Sequence, residues 1–154
     1  MKTRHSAIYP VAPVGRTVKN LPGEVAQAWQ EAGVAHSAGA YTAAEMMCRK
    51  ILMHLAVGRA NAKPDDKFTS YIDALDKAGF ITAGLKPVID QVRSRGNEAN
   101  HKLPASSEQD SLVTLTITGH LLEAIYELPG MVPASPSTPS AAPSSPATST
   151  ATVT

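Results

Sequence analysis

A chain of 154 residues with 43% hydrophobic content can fill one core but not two. Its 14 Lys and Arg against 13 Asp and Glu give a net charge of +1, which excludes a grip on nucleic acid through bulk charge and leaves room only for a local patch. Cys48 is the single cysteine, so an intramolecular disulfide and a Cys-based zinc site are both excluded.

The opening "MKTRHSAIYPVAPVGR" starts positive, but Pro10 and Pro13 interrupt any apolar run behind it, unlike a signal peptide. Residues 1–20 read as an extended segment, with Ile8, Tyr9 and Val11 able to lie across a surface. The longest apolar run, "ILMHLAV", is too short to span a bilayer. A cytoplasmic location without membrane contact is therefore expected.

Residues 21–128 carry the helical periodicity of an all-α bundle of about five helices. The first, over residues 22–37, puts Val25, Ala28, Trp29 and Ala32 on one face. "YTAAE" opens the second, where Thr42 and Glu45 have the spacing of a capping box and Gly58 marks the end. Its apolar face is Ala44, Met47, Ile51 and Leu55, Cys48 reads as a small core residue, and Arg49 follows Glu45 at ion-pair spacing. A third helix carries Phe68, Ile72 and Leu75 and stops at Gly79. The fourth starts between Thr82 and Pro87 and presents Leu85, Val88, Ile89 and Val92.

The fifth helix follows "PASSEQD", with Ser106 or Ser107 as its cap, Leu115, Leu122 and Tyr126 on one apolar side and Leu121, Ile125 and Leu128 beside them. Within it "LVTLTIT" has strand propensity, yet the capping signal before it and "HLLEAIYEL" after it predict a continuous helix. Met46, Met53, Val113 and Ile117 fall off the main faces and leave apolar surface for self-association. From residue 129 the composition changes to Pro, Ser, Thr and Ala without a charged residue. Such a tail cannot bury enough apolar area to offset its chain entropy, so residues 129–154 are expected to be disordered.

The chemistry-bearing stretch is "RSRGNEANH". On a regular helix Arg93, Asn97 and His101 share one face, with Arg95 on another. Gly96, costly by about 1 kcal/mol relative to Ala inside a helix, marks close packing or a change of direction. No histidine pair has metal-ligand spacing and no phosphate-cradling Gly-Lys-Ser/Thr occurs, so no metal or cofactor is expected.

Together, "LPGEVAQAWQEAGVAHSAGAYTAAEMMCRKIL", "YIDALDKAGFITAGLKPVIDQVRSRGNEANH" and "LLEAIYEL" resemble domain-of-unknown-function family 4145 over residues 21–128. The sharpest likeness is Arg93, two residues, Gly96-Asn97, three residues, His101. The resemblance implies a helical domain related to the HEPN superfamily, found in bacterial and phage-associated proteins and beside restriction enzymes. HEPN ribonucleases set an arginine four to six residues before a histidine. Without metal, the histidine moves a proton as the RNA 2′-hydroxyl attacks phosphorus and the arginine stabilises the phosphoryl oxygens. Arg95 and His101 have that spacing, but Gly96 stands where a polar residue usually follows the arginine.

Three readings of the cluster stay open: structural bracing, phosphate or nucleotide binding with Arg93, Asn97 and Arg49, and catalysis by Arg95 and His101. In the first, an arginine pairs with Glu31 or Glu45. The function classes are a non-catalytic accessory module of a nucleic-acid-directed, defence-type system and a metal-independent endoribonuclease or toxin. The corresponding partners are a second copy of the chain, RNA or a nucleotide, and a partner protein.

Overall fold

The computed structural model describes residues 15–98 and 105–132. Among these the chain is all-α. The helices are α1 (Gly23–Ser37), α2 (Tyr41–Ala60), α3 (Phe68–Lys77), α4 (Lys86–Glu98) and α5 (Glu108–Leu122). A single 3₁₀ turn, Ala83–Leu85, leads into α4. Beyond α5 the chain continues through a π-helical stretch, Glu123–Glu127, into a last turn, Leu128–Met131. Most of the expected N-terminal segment and residues 133–154 of the expected tail lie outside the described residues.

Each helix is a local consequence of apolar spacing and a stop signal. Val25, Trp29, Ala32 and His36 fall on one side of α1 and are buried. Gly39, at φ 78, then turns the chain, with its N–H on the His36 carbonyl. In α2 the buried set is Ala44, Glu45, Cys48, Ile51, Leu52, Leu55 and Ala56. The helix runs past Gly58 to Ala60 and ends at Asn61 in the left-handed conformation, an alternative to glycine at such ends. Tyr71, Ile72 and Leu75 are the buried face of α3.

The threonine-rich run is helical, and its hydroxyls are satisfied within the helix. Thr114, Thr116 and Thr118 each return Oγ1 to the carbonyl four residues back, at 3.0, 2.8 and 2.7 Å. Two of them, Thr114 and Thr118, are thereby buried without an unsatisfied polar group. α5 is accordingly buried on most sides, with only Leu112, Thr116 and His120 exposed beyond its first turn. It packs against α1, α2 and α4, while α2 also packs against α1 and α3.

Trp29 comes close to α5 because residue 119 is glycine; a Cβ there would sit 3.2 Å from the indole. The indole N–H donates to the Arg16 carbonyl at 3.0 Å, which ties residues 15–21 to the bundle.

Besides the end of α2, three expectations from the sequence need correction. Leu128, expected beside Leu121 and Ile125, is exposed in the last turn. The Thr42–Glu45 capping box does not form: α2 begins at Tyr41, Ala40 is its N-cap, and Glu45 is buried. Of the four off-face residues, Ile117 belongs to the core and Met53 and Val113 pack against it; Met46 alone is exposed. Among the described residues no helix is long and apolar enough to cross a membrane.

Candidate functional site: a polar junction of three helices

Position 95 lies about 200° around the helix from position 93, since each residue advances the helix by about 100°. The two arginines of "RSR" therefore reach different neighbours. Arg93 pairs with Asp73 of α3 and, at 3.8 Å, with Asp90 one turn back. Arg95 turns to the gap between α2 and α5.

There its Nε and Nη2 donate to the two oxygens of Glu45, at 3.2 and 3.0 Å. Its Nη1 lies 2.8 Å from Asp110 Oδ2. Glu45 also accepts from Arg49 Nη2 at 3.0 Å and from the Ser106 hydroxyl. The Ser106 N–H donates to Thr42 Oγ1 at 3.0 Å, so the residue expected to cap α2 instead holds the segment before α5. The junction thus joins α2, α4 and α5 through one carboxylate.

Its electrostatics follow from burial. Glu45 is 2% exposed, which by itself would raise its pKa. Hydrogen bonds from Arg95 and Ser106 and the charges of Arg49 and Arg95 outweigh that burial and hold the carboxyl below its ordinary range. Asp110 is held low first by the Ser107 hydroxyl and further by Arg95. Arg95 in turn is raised, mainly by its hydrogen bonds to Glu45. All three groups are ionised at neutral pH.

Ser107 and Asp110 form the capping box of α5, each side chain accepting from the other's backbone N–H. The sequence pattern Ser-x-x-Asp was the available signal for Asp110, which sequence reasoning did not single out. Arg49 is nearly enclosed, its guanidinium 5.4 Å from the centre of the Phe68 ring. Beside the junction, His36 Nδ1 lies 2.8 Å from Ser111 Oγ, and both residues are buried. Neither was legible as a pair, because they are 75 residues apart.

The structure thus brings Arg49 and Arg95 onto one carboxylate and sends Arg93 to another helix. The side chain of Asn97 and the whole of His101 lie outside the described residues. Each nitrogen of the Arg95 guanidinium faces a carboxylate oxygen, whereas Arg49 Nε is buried without a hydrogen-bond partner among the described residues. A phosphate reaching Arg95 would have to displace Glu45 or Asp110.

The family model of a domain of unknown function (DUF4145) matches residues 30–135, which include every residue of this junction. The chain belongs to that family. No curated protein and no solved structure matches it. In this DUF4145 domain α4, residues 86–98, carries both Arg93, where the motif stretch begins, and the Arg95 of the junction. The match begins inside α1, so Trp29 and the segment it anchors lie just before it.

Proposed function

We propose that the chain is a non-catalytic, HEPN-like interaction module that serves a nucleic-acid-directed defence system in the cytoplasm of a bacterium or of a phage-infected cell. The observation that carries this reading is the engagement of Arg95 by Glu45 and Asp110. HEPN-type cleavage needs an arginine whose guanidinium is available to the phosphoryl oxygens. Here that group is a brace between helices. The partner surface is the exposed outer side of the bundle, where Val34, Met46 and Val57 are exposed apolar residues. A second copy of the chain or a partner protein can cover such residues.

The competing reading is a metal-independent endoribonuclease using Arg95 and His101, favoured by their spacing. Melting temperature and cleavage of single-stranded RNA in the presence of chelator, measured on wild type and His101→Ala, separate the two. The expected result is no cleavage by the wild-type protein. An RNase activity that a stably folded His101→Ala variant has lost would overturn the proposal.

A further inference from the structure

On the side of the bundle where α2 ends, a cleft of about 450 Å³ opens between that end and α3, lined by Arg59, Asn61, Ser70, Asp73 and Lys77 among others. That size lies in the range of small-ligand pockets, ~300–1,000 Å³. Its arginine is unlike the other described arginines. Arg16, Arg49, Arg93 and Arg95 each have a carboxylate partner. Arg59 has none among the described residues; its guanidinium instead lies over the Tyr126 ring, 4.9 Å from the centroid.

Stacking fixes the plane of a guanidinium and leaves its N–H edge available. The ring that does so comes from the π-helical stretch Glu123–Glu127, a widening of a kind that recurs at functional sites. Lys77 likewise has no ion pair among the described residues, whereas the neighbouring Lys86 is 3.4 Å from Asp76. Ser70 and Lys77 are seven positions apart on α3, hence on one face about 10 Å from each other. Asp73 stands between them, but its charge is already met by Arg93. The lining therefore keeps a positive excess from Arg59 and Lys77.

We propose that this cleft binds the phosphate group of a phosphate ester, with the Arg59 edge donating to two phosphate oxygens, Lys77 supplying a second charge and the Ser70 hydroxyl donating a hydrogen bond. A planar guanidinium edge matches two oxygens of phosphate, and a neutral ligand would leave both cations unmet. The α2 terminus is the negative end of its dipole and is closed by the Ala62 N–H on the Ala56 carbonyl. The anion accordingly sits on the side chains and not on the helix end. The assignment is independent of whether Arg95 and His101 cleave RNA, because it uses neither.

Titration calorimetry of the full chain with inorganic phosphate, adenosine 5′-monophosphate and a short single-stranded RNA lacking a terminal phosphate tests it. Wild type is expected to bind at least one of them below about 10 mM, and Arg59→Ala to weaken that binding roughly tenfold or more. Arg59→Lys keeps the charge but not the two-pronged edge and should also weaken it. Lys77→Ala leaves the Tyr126 stack intact, so its loss of binding cannot come from misfolding around the ring. Tighter binding of the monophosphate assigns a free nucleotide-like ligand, and tighter binding of the RNA assigns a backbone phosphate; either supports the site. Lys50, an exposed lysine earlier on α2, provides the control. No binding of any of the three by wild type, or equal weakening by Lys50→Ala and Arg59→Ala, overturns the proposal.

Discussion

Arg95 sits between two carboxylates; Arg59 sits between a tyrosine ring and solvent. The first belongs to a motif that invites a catalytic reading, and the second belongs to no motif at all. In space their roles are reversed. Arg95 holds three helices together through Glu45 and Asp110, while Arg59 is oriented but left without a counter-charge among the described residues. A cation's availability is a property of its neighbours, and those neighbours come from other helices, Glu45 being 50 positions from Arg95 in the chain.

The contrast breaks most readily at Glu45. Replacing it with alanine leaves the Arg49 and Arg95 guanidinium groups without the carboxylate that joins them, in a region where Arg49 is 12% exposed. Loss of one partner of a buried ion pair costs about 3–5 kcal/mol, so Glu45→Ala should lower the urea midpoint by a large fraction of the total stability. A loss below about 1 kcal/mol would mean that the junction behaves as a surface pair, and Arg95 would then be as available as Arg59.

How far this was readable from the residues depends on the range of the interaction. The helices were legible because their apolar spacing and their stop signals are local; α3, with Ile72, Leu75 and Gly79, lies where the pattern places it. The helical state of "LVTLTIT" was legible from its flanks, although the hydroxyl-to-carbonyl bonds that permit it were not read from the sequence. The Arg49–Glu45 pair, one turn apart, was legible as well. Thr42 and Glu45 were misread because Thr-x-x-Glu is the same string whether the glutamate caps a helix or is buried by a later one. What decides is Arg95, arriving from α4, and Ser106, arriving from the segment before α5. Contacts between different helices likewise hid Asp110 as a partner of Arg95 and Tyr126 as the support of Arg59.

Acid sharpens the comparison by titrating the two carboxylates that hold Arg95. Glu45 and Asp110 are both held below their ordinary pKa in the folded chain. A depressed carboxyl contributes stability that is fully present above its unfolded value, about 4, and is lost as pH falls through the folded value. Wild type should therefore lose stability steadily below about pH 5, and Glu45→Gln, which removes one of these carboxyls, should show a shallower acid limb. Thermal melts from pH 7 to pH 3 on the two proteins measure the difference. Parallel limbs would place the acid sensitivity elsewhere.

The smallest effect is expected where the function is proposed to lie. An arginine reserved for a ligand should contribute little to folding, and Arg59 touches the fold mainly through its stack on Tyr126. Exposed cation–π contacts of this kind are worth about 0.5–1 kcal/mol. Arg59→Ala should lower stability by no more than that, a shift of a few degrees in Tm for a domain of this size. The aliphatic part of the side chain adds some packing on the ring, which Arg59→Lys retains in part, so the lysine variant should be the milder of the two. Melting curves of the two variants beside Glu45→Ala place all three on one scale. If Arg59→Ala fell as far as Glu45→Ala, the arginine over Tyr126 would be another brace. The distinction between a cation held for the fold and one held for a phosphate would then fail at the residue on which it depends.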